Sequence, residues 1–336
     1  GQMNVDKGVT LTRPLIMSLS FYCGLEVGIE DPDEPKDPET PHFIPAYSQK
    51  VKASKEFQTF QFDHSFVLNS LKSSMEGYVF HNQPLDTDDL LEQTVKLFNS
   101  CKTSLELFDM LHNMRAYDDS THAHSLNVAL ICRRIGKWLK VDAATLDTLT
   151  LCGLLHDIGK LKIPDEILNK PGKYTDEEFD LVKRHTKFGY ELLKPLNIDP
   201  HIKKAALLHH ERCDGSGYPL KATQKDLDNF SMVVAIADVY DAMTAARSYR
   251  APLCPFQVIE RFEQEGLQKY KPKFILTFLQ HIASTYQNNR VLLSNGQSAN
   301  IVMLNQQHLA RPIVQLNDNS CIDLSTRLDL HIQSIL

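Results

Sequence analysis

The sequence predicts a mainly α protein: a bundle of short helices with a small N-terminal region of α/β or mixed character and a short C-terminal β-meander. Three observations carry that expectation. From Asp86 onward apolar residues recur at steps of three and four, the helical period. The first ~85 residues lack that regularity and are broken by prolines. Beyond Arg290 the pattern turns to short apolar runs separated by Asn-Gly and Asp-Asn, the punctuation of strands and tight turns. A chain of 336 residues with 42% hydrophobic composition has material for about two domains and a real core. The organisation read from it is residues 1–85, 86–288 and 289–336.

At the N-terminus, Gly1-Gln2-Met3 reads as a cloning scar, and Leu15–Tyr22 looks like a strand. Residues 31–41, Asp-Pro-Asp-Glu-Pro-Lys-Asp-Pro-Glu-Thr-Pro, can hold neither a helix nor a central strand, because proline lacks a donor and clashes with the preceding turn. An extended arm is the plain reading, and a segment that docks a partner is the sharper one. Lys50 to Tyr78 is mixed. Then Leu91, Val95, Phe98, Cys101, Leu105, Phe108 and Leu111 form one stripe, and His124, Val128, Ile131, Ile135 and Trp138 form the next. Further helices are expected over Leu146–His156, Asp176–Leu193, Ile202–His210, Ser231–Ala245, Phe256–Gly266 and Lys273–Tyr286. Val291–Ser294 and Ala299–Leu304 flank Asn295-Gly296, which suits a primed hairpin turn. Pro312–Leu316 and Ile322–Leu324 add two more strands.

Composition excludes several function classes. A net charge of −6 argues against a protein that coats a nucleic acid polymer, while leaving room for a local basic pocket. No apolar run approaches the roughly 20 residues needed to cross a bilayer, so no membrane insertion is expected. Leu15–Leu25 is short and lacks the basic flank of a signal peptide. The seven cysteines, Cys23, Cys101, Cys132, Cys152, Cys213, Cys254 and Cys321, are scattered and never form Cys-x-x-Cys. They read as reduced small hydrophobes in a cytoplasmic protein rather than as a disulfide framework.

The chemistry sits in histidines and aspartates that point into apolar surroundings. His124 lies on an inward stripe, His156 and Asp157 end a buried helix, and His185 sits in an amphipathic one. His209 and His210 follow the run Ala205-Ala-Leu-Leu, and Asp238 interrupts Val233-Val-Ala-Ile-Ala. Each alone could be a core residue satisfied by a backbone carbonyl. Burying so many groups capable of charge costs several kcal/mol each unless they are paired or metal-bound. Imidazole and carboxylate without thiolate suit iron, manganese, nickel or zinc. The set exceeds what one ion needs, which points to at least two divalent ions sharing a bridging carboxylate, the arrangement that serves phosphoryl transfer.

The segment Leu154-Leu-His-Asp-Ile-Gly-Lys160 resembles the signature of the HD phosphohydrolase superfamily. His209-His-Glu-Arg-Cys-Asp-Gly-Ser-Gly-Tyr-Pro219 resembles the second signature of its HD-GYP subfamily. The flanking His124, Ile163–Leu168, Lys170-Pro-Gly172, His185 with Gly189, and Ala237–Thr244 through Arg247 and Arg250 agree over roughly residues 86–285. The resemblance implies an HD-type helical bundle. It also implies a phosphodiesterase that hydrolyses cyclic di-GMP to pGpG, in some members on to GMP, through a metal-bridging hydroxide.

By position, the resemblance assigns His124, His156, Asp157 and Asp238 to one ion, and Asp157, His185, His209 and His210 to a second. Iron or manganese leads, with nickel, zinc or magnesium as other candidates. Asp157 and Lys160 are the catalytic candidates, Lys160 for neutralising charge that develops on the phosphorane. Substrate contacts fall to Lys160, Gly217, Tyr218, Pro219, Arg247 and Arg250. From the residues alone, Tyr218 can hydrogen-bond a phosphate, pack on guanine, or merely close a turn. Arg247 and Arg250, spaced i and i+3, either grip a phosphate together or form a solvated pair. Asp214 and Asp241 read as groups that orient the site or cap the loop. Members with three metals carry a glutamate four residues before the first histidine. Ser120 stands there in this sequence, so two ions are expected. A weakly catalytic cyclic di-GMP receptor and a hydrolase of another cyclic dinucleotide such as 3',3'-cyclic GMP-AMP are the alternatives. Residues 1–85 are the candidate regulatory region, open to a homodimer or a signalling-protein partner.

Overall fold

The computed structural model describes residues 47–114, 120–170, 172–245 and 253–336. The expected strand Leu15–Tyr22, the proline-rich arm, Arg247 and Arg250 lie outside the described residues. Residues 45–336 form one compact unit.

The chain enters through α1 (Tyr47–Ala53) and the long α2 (Lys55–His81). Ser54 caps α2 by accepting from the Phe57 amide, and Asn82 closes it in the left-handed region at φ 52°. Phe57, Phe60, His64, Val67, Leu68, Leu71 and Met75 are buried along it. These residues follow steps of three and four within a segment that composition alone groups with a mixed N-terminal region. Residues 55–81 are therefore helical and feed the same core as the helices beyond residue 86.

Asp86 caps α3 (Thr87–Ser100) through the Asp88 and Asp89 amides. The single stripe expected from Leu91 to Leu111 divides here. Cys101 turns to extended backbone (φ −87°, ψ 117°) and α4 (Ser104–Met114) starts afresh. Leu90, Thr94, Leu97 and Phe98 are the buried positions of α3, whereas Leu91 is only half-buried.

Next come α5 (Thr121–Trp138), capped by Ser120, and α6 (Ala143–Leu155), capped by Asp142. They pack along one another, and Leu126, Val128, Ile131, Ile135, Cys152, Leu154 and Leu155 are fully buried. A 3₁₀ turn (Ile158–Lys162) and the single-turn α7 (Asp165–Leu168) follow. The helix expected over Asp176–Leu193 is two helices, α8 (Asp176–Lys183) and α9 (His185–Leu193), parted at Arg184. Thr175 and Glu178 form a reciprocal capping box at the start of α8. Then come α10 (Pro200–Leu208), α11 (Asn229–Thr244), α12 (Pro255–Glu265) and α13 (Pro272–Thr285).

The C-terminal strands are β1 (Arg290–Leu293), β2 (Ser298–Met303), β3 (Ile313–Leu316), β4 (Cys321–Asp323) and β5 (Ile332–Ile335). They form an antiparallel sheet in the order β4-β3-β2-β1-β5. The first four make the expected meander. β5, not expected, returns to pair with β1 on the other edge. The β1–β2 turn differs from the primed type expected. Only Gly296 has positive φ (82°), its amide donates to the Leu293 carbonyl, and the Leu293 amide donates to Gln297. That is a three-residue loop closed by a left-handed glycine. Val291, Leu293, Ala299, Ile301, Val314 and Ile332 are buried. Arg311 donates to Glu260 of α12 at 2.7 Å, and the Leu309 amide donates to Glu263. Among the described residues no helix is long and apolar enough to cross a membrane, and the six described cysteines are unbonded.

Two outcomes follow from this packing. Phe57→Ala should lower unfolding free energy by about 3–5 kcal/mol, the usual cost of emptying a buried phenylalanine site. A urea midpoint shifted by less than a third of that would show that α2 stands apart from the core. The second concerns Asp109, which accepts from the Tyr47 hydroxyl and whose carboxyl burial pushes up to about 6. Between roughly pH 4 and 6 the folded chain keeps a proton that the unfolded chain has lost, so this group's contribution to stability falls as pH rises through that window. Asp109→Asn should remove that part of the slope, as read from thermal midpoints across the same range.

Candidate metal centre

Helices α5, α6, α9, α10 and α11 converge on Asp157, which is 1% exposed and begins the 3₁₀ turn after α6. Gly159 makes that convergence possible. A Cβ there would stand 2.0 Å from the His185 carbonyl oxygen and 2.4 Å from the Gly189 amide, so only hydrogen lets the turn meet α9. The break at Arg184 then presents His185 as the first residue of α9, facing Asp157 Oδ1 at 3.3 Å from Nε2. His156 Nε2 lies 3.2 Å from Asp157 Oδ2, and His209 Nε2 lies 3.6 Å from Oδ1.

Three of the imidazoles are oriented by the main chain. Nδ1 of His156 donates to the Gly153 carbonyl at 2.7 Å, Nδ1 of His185 to Val182 at 2.6 Å, and Nδ1 of His209 to Ala205 at 3.0 Å. Each bond fixes the proton on Nδ1 and turns an Nε2 lone pair inward, the tautomer a metal requires. Burial lowers His185 to about 3 and also lowers His209; burial and the neighbouring His209 hold His210 well below the ordinary value. These rings are neutral at pH 7.

Burial alone would raise Asp157, but the Lys160 ammonium foremost, with the neighbouring His156, holds it well below the usual carboxylate range. Asp238 is held down in the same sense, against burial, by its bond to His124. His124 lies between two carboxylates, Nε2 at 3.0 Å from Asp238 Oδ1 and Nδ1 at 2.8 Å from Asp241 Oδ2. Burial works against its charge, yet those two bonds raise it to about 9.

Ligand atoms of Asp157, His185, His209 and His210 lie within 4.8 Å of one another, as do those of His124, His156 and Asp157. Asp157 belongs to both groups. Asp238 faces both as well, with Oδ2 at 3.7 Å from His210 Nδ1. All seven positions read from the sequence as metal candidates are brought together. The set fits divalent ions on its own terms: ionised carboxylates, neutral imidazoles at His185, His209 and His210, and two buried atoms, His156 Nε2 and Asp157 Oδ1, that make no hydrogen bond. Lys160 reaches the same centre, its ammonium 2.6 Å from Asp157 Oδ2.

The loop after His210 folds back over the cluster. Gly217 packs where a Cβ would meet the Glu211 Cα at 2.4 Å and the His210 carbonyl oxygen at 2.5 Å. That close approach stacks the Tyr218 ring on His210, with centroids 4.7 Å apart at 27°. Burial and the Asp238 and Asp157 charges push the Tyr218 hydroxyl well above its ordinary value, so it is a donor at neutral pH. Pro219 follows Tyr218 through a cis peptide bond. Asp214 accepts from the Ser216 amide and hydroxyl, a local closure of the loop.

Sequence reasoning passed over Glu211. It is 2% exposed, and its carboxylate accepts from the Leu220 amide at 2.6 Å and the Ala222 amide at 3.1 Å. Its only sequence signal is an acid directly after two inward histidines. Ser120 spends its hydroxyl accepting from the Ala123 amide at the start of α5.

The sequence profile of the HD domain matches residues 89–274. The chain belongs to the HD-domain family. Its paired His156-Asp157 and the loop ending in Gly217-Tyr218-Pro219 carry the two signatures of the HD-GYP subfamily. The HD domain is 34% identical over 183 residues to 3'3'-cGAMP-specific phosphodiesterase 2 of Vibrio cholerae, covering 54% of this chain and 35% of that protein. It is 36% identical over 178 residues to a cyclic di-GMP phosphodiesterase of Thermotoga maritima, covering 52% of this chain and 48% of that one. A cyclic di-GMP phosphodiesterase of Pseudomonas aeruginosa is 32% identical over 207 residues, with 61% and 50% covered. The chain thus spans between about a third and a half of the length of these three relatives.

Glu211→Ala strands two amide donors inside the loop, at a cost of about 1–3 kcal/mol. Hydrogen exchange at Leu220 and Ala222 should speed up accordingly while amides of α5 and α6 keep their protection. Unchanged exchange at those two amides would show that the carboxylate does not hold the loop.

Proposed function

We propose that this HD domain is a metal-dependent phosphodiesterase that hydrolyses a cyclic dinucleotide, cyclic di-GMP foremost, to the linear dinucleotide pGpG. The observation that carries the reading is the single buried carboxylate, Asp157, common to two groups of imidazole ligand atoms. His124, His156 and Asp238 would hold one divalent ion with Asp157, and His185, His209 and His210 a second. Iron or manganese suits the nitrogen and oxygen donors and the lack of thiolate. Ions bound there supply Lewis acidity and lower the pKa of a water toward about 7.

The chain's own groups then have distinct tasks. Asp157 and Asp238 provide the negative charge that retains the cations. The main-chain bonds to Nδ1 of His156, His185 and His209 keep those rings aimed without reorganisation. Lys160 keeps an ammonium at the shared carboxylate, where charge builds on the phosphoryl oxygens of an in-line displacement. The Tyr218 hydroxyl is a donor for a phosphate oxygen or a base edge, and the loop held by Glu211 sets its angle. Arg247 and Arg250 remain the candidates for gripping the second phosphate.

A substrate with one adenine is the second reading, supported by the similarity to a relative named for 3'3'-cGAMP. An assay offering both cyclic dinucleotides to the metal-loaded chain tests the proposal and ranks the two. The absence of turnover with either, at full metal occupancy, would leave a receptor instead.

Two further outcomes follow. Asp157→Ala should lose both ions and reduce hydrolysis to background while far-ultraviolet dichroism keeps its helical signal, because only Asp157 is common to both groups. Near-normal turnover would refute a binuclear centre. The second concerns stoichiometry. Ser120 offers a neutral hydroxyl already engaged at a helix cap, a poor ligand for a dehydrated cation. Metal analysis of protein purified without chelator should give two ions per chain, and three at full occupancy would show that another group fills that place.

A further inference from the structure

Phe179 lies on α8, outside every motif discussed so far, and its side chain remains 42% exposed. Of the exposed phenylalanines among the described residues, Phe62, Phe66, Phe80 and Phe179, it alone meets a ring of the metal centre's loop. Its centroid is 6.4 Å from that of Tyr218, with the planes at 77°. Tyr218 in turn stacks on His210. An aromatic path therefore runs from the imidazole cluster outward and ends on a ring open to solvent. Lys183 holds its ammonium 4.5 Å from the Phe179 centroid and is itself tied to Asp180 at 2.7 Å, so one face of the ring is covered by a cation. The capping box at Thr175 and Glu178 fixes the start of the helix that carries the ring.

Two rings at nearly a right angle make a corner that suits a planar heterocycle, which can lie flat on one wall and put its edge to the other. Building such a corner beside a site for phosphodiesters, with one wall left wet, has a cost that a bound base would recover. We propose that Phe179 is the stacking platform for one purine base of the cyclic dinucleotide, with Tyr218 as the perpendicular wall. The inference rests on the function proposed above and adds to it the element that holds the base. A phenyl ring has no hydrogen-bonding group, so the platform reads the presence of a purine and not its identity. Guanine and adenine should be accepted there alike, and discrimination between cyclic di-GMP and 3'3'-cGAMP must come from other groups.

The test uses the metal-loaded full chain and a cyclic dinucleotide in which 2-aminopurine replaces one guanine, since stacking quenches that base. The wild-type chain should quench the probe on binding. Phe179→Leu, which keeps apolar bulk without a ring, should bind cyclic di-GMP and 3'3'-cGAMP roughly 10-fold or more weakly and abolish the quench. Phe179→Trp should restore both. Undiminished quench and affinity in Phe179→Leu would overturn the platform while leaving the function standing, provided the wild-type chain cleaves the natural substrate. A wild-type chain that neither binds nor cleaves either cyclic dinucleotide would overturn the function and this inference with it.

Discussion

Everything in this protein turns on keeping one carboxylate ionised where water cannot reach it. Asp157 is essentially buried, and transfer of a lone charge into such a place would cost far more than the fold's net stability. The chain meets part of that cost with the Lys160 ammonium at 2.6 Å and His124 at 3.7 Å, and the inward Nε2 lone pairs of His156, His185 and His209 leave the remainder to the cations they would hold. Five helices have to arrive at one point for this, and their arrival dictates much of the rest. Gly159 exists as a glycine because the turn bearing Asp157 must touch α9. The break at Arg184 is explained in the same way, since an unbroken helix would not begin a new turn at His185 with its Nδ1 bonded to Val182. The parts of the bundle that seem irregular are those that serve the buried charge.

Much of this was legible in the sequence, and the reason is physical. Charged residues are rare inside apolar periodic runs, so His124, His156, Asp157 and Asp238 stand out against Val128, Leu149, Leu154 and Val233 without any knowledge of the fold. The helices of the body were legible through the same periodicity. Their interruptions were not, because apolar spacing continues across Cys101–Thr103 and across Arg184 even though the backbone does not. The helix at Lys55–His81 was hidden by its wet face, where Gln58, Phe62, Ser65 and Asn69 dilute the signal of the buried one. β5 is four residues long and alternates too briefly to be heard.

Glu211 and Phe179 illustrate a different limit. Each occupies a position whose type is ordinary for its local structure, an acid in a polar loop and an aromatic in an amphipathic helix. Their importance comes from partners far along the chain: amides nine and eleven residues on for Glu211, and a ring 39 positions away for Phe179. Pairings of that kind are decided by how α8 and the loop after His210 fold together. Local spacing carries no trace of them.

The anchoring of the imidazoles has a consequence for how such a site can change over generations. His156, His185 and His209 are aimed by carbonyls three or four residues earlier in their own helical turns. Any amino acid supplies a carbonyl, so substitutions at 182 or 205 that preserve the packing also preserve the direction of the ring, whereas 153 is held to glycine because a Cβ there would stand 2.6 Å from the Ala129 Cα. His124 is the exception, because its Nδ1 depends on the Asp241 side chain. Sequence drift at 182 and 205 thus leaves the donor geometry of His185 and His209 alone, while His124 can be retuned by a single exchange at 241. A lineage could adjust one end of the cluster while the other end stays fixed by the backbone itself.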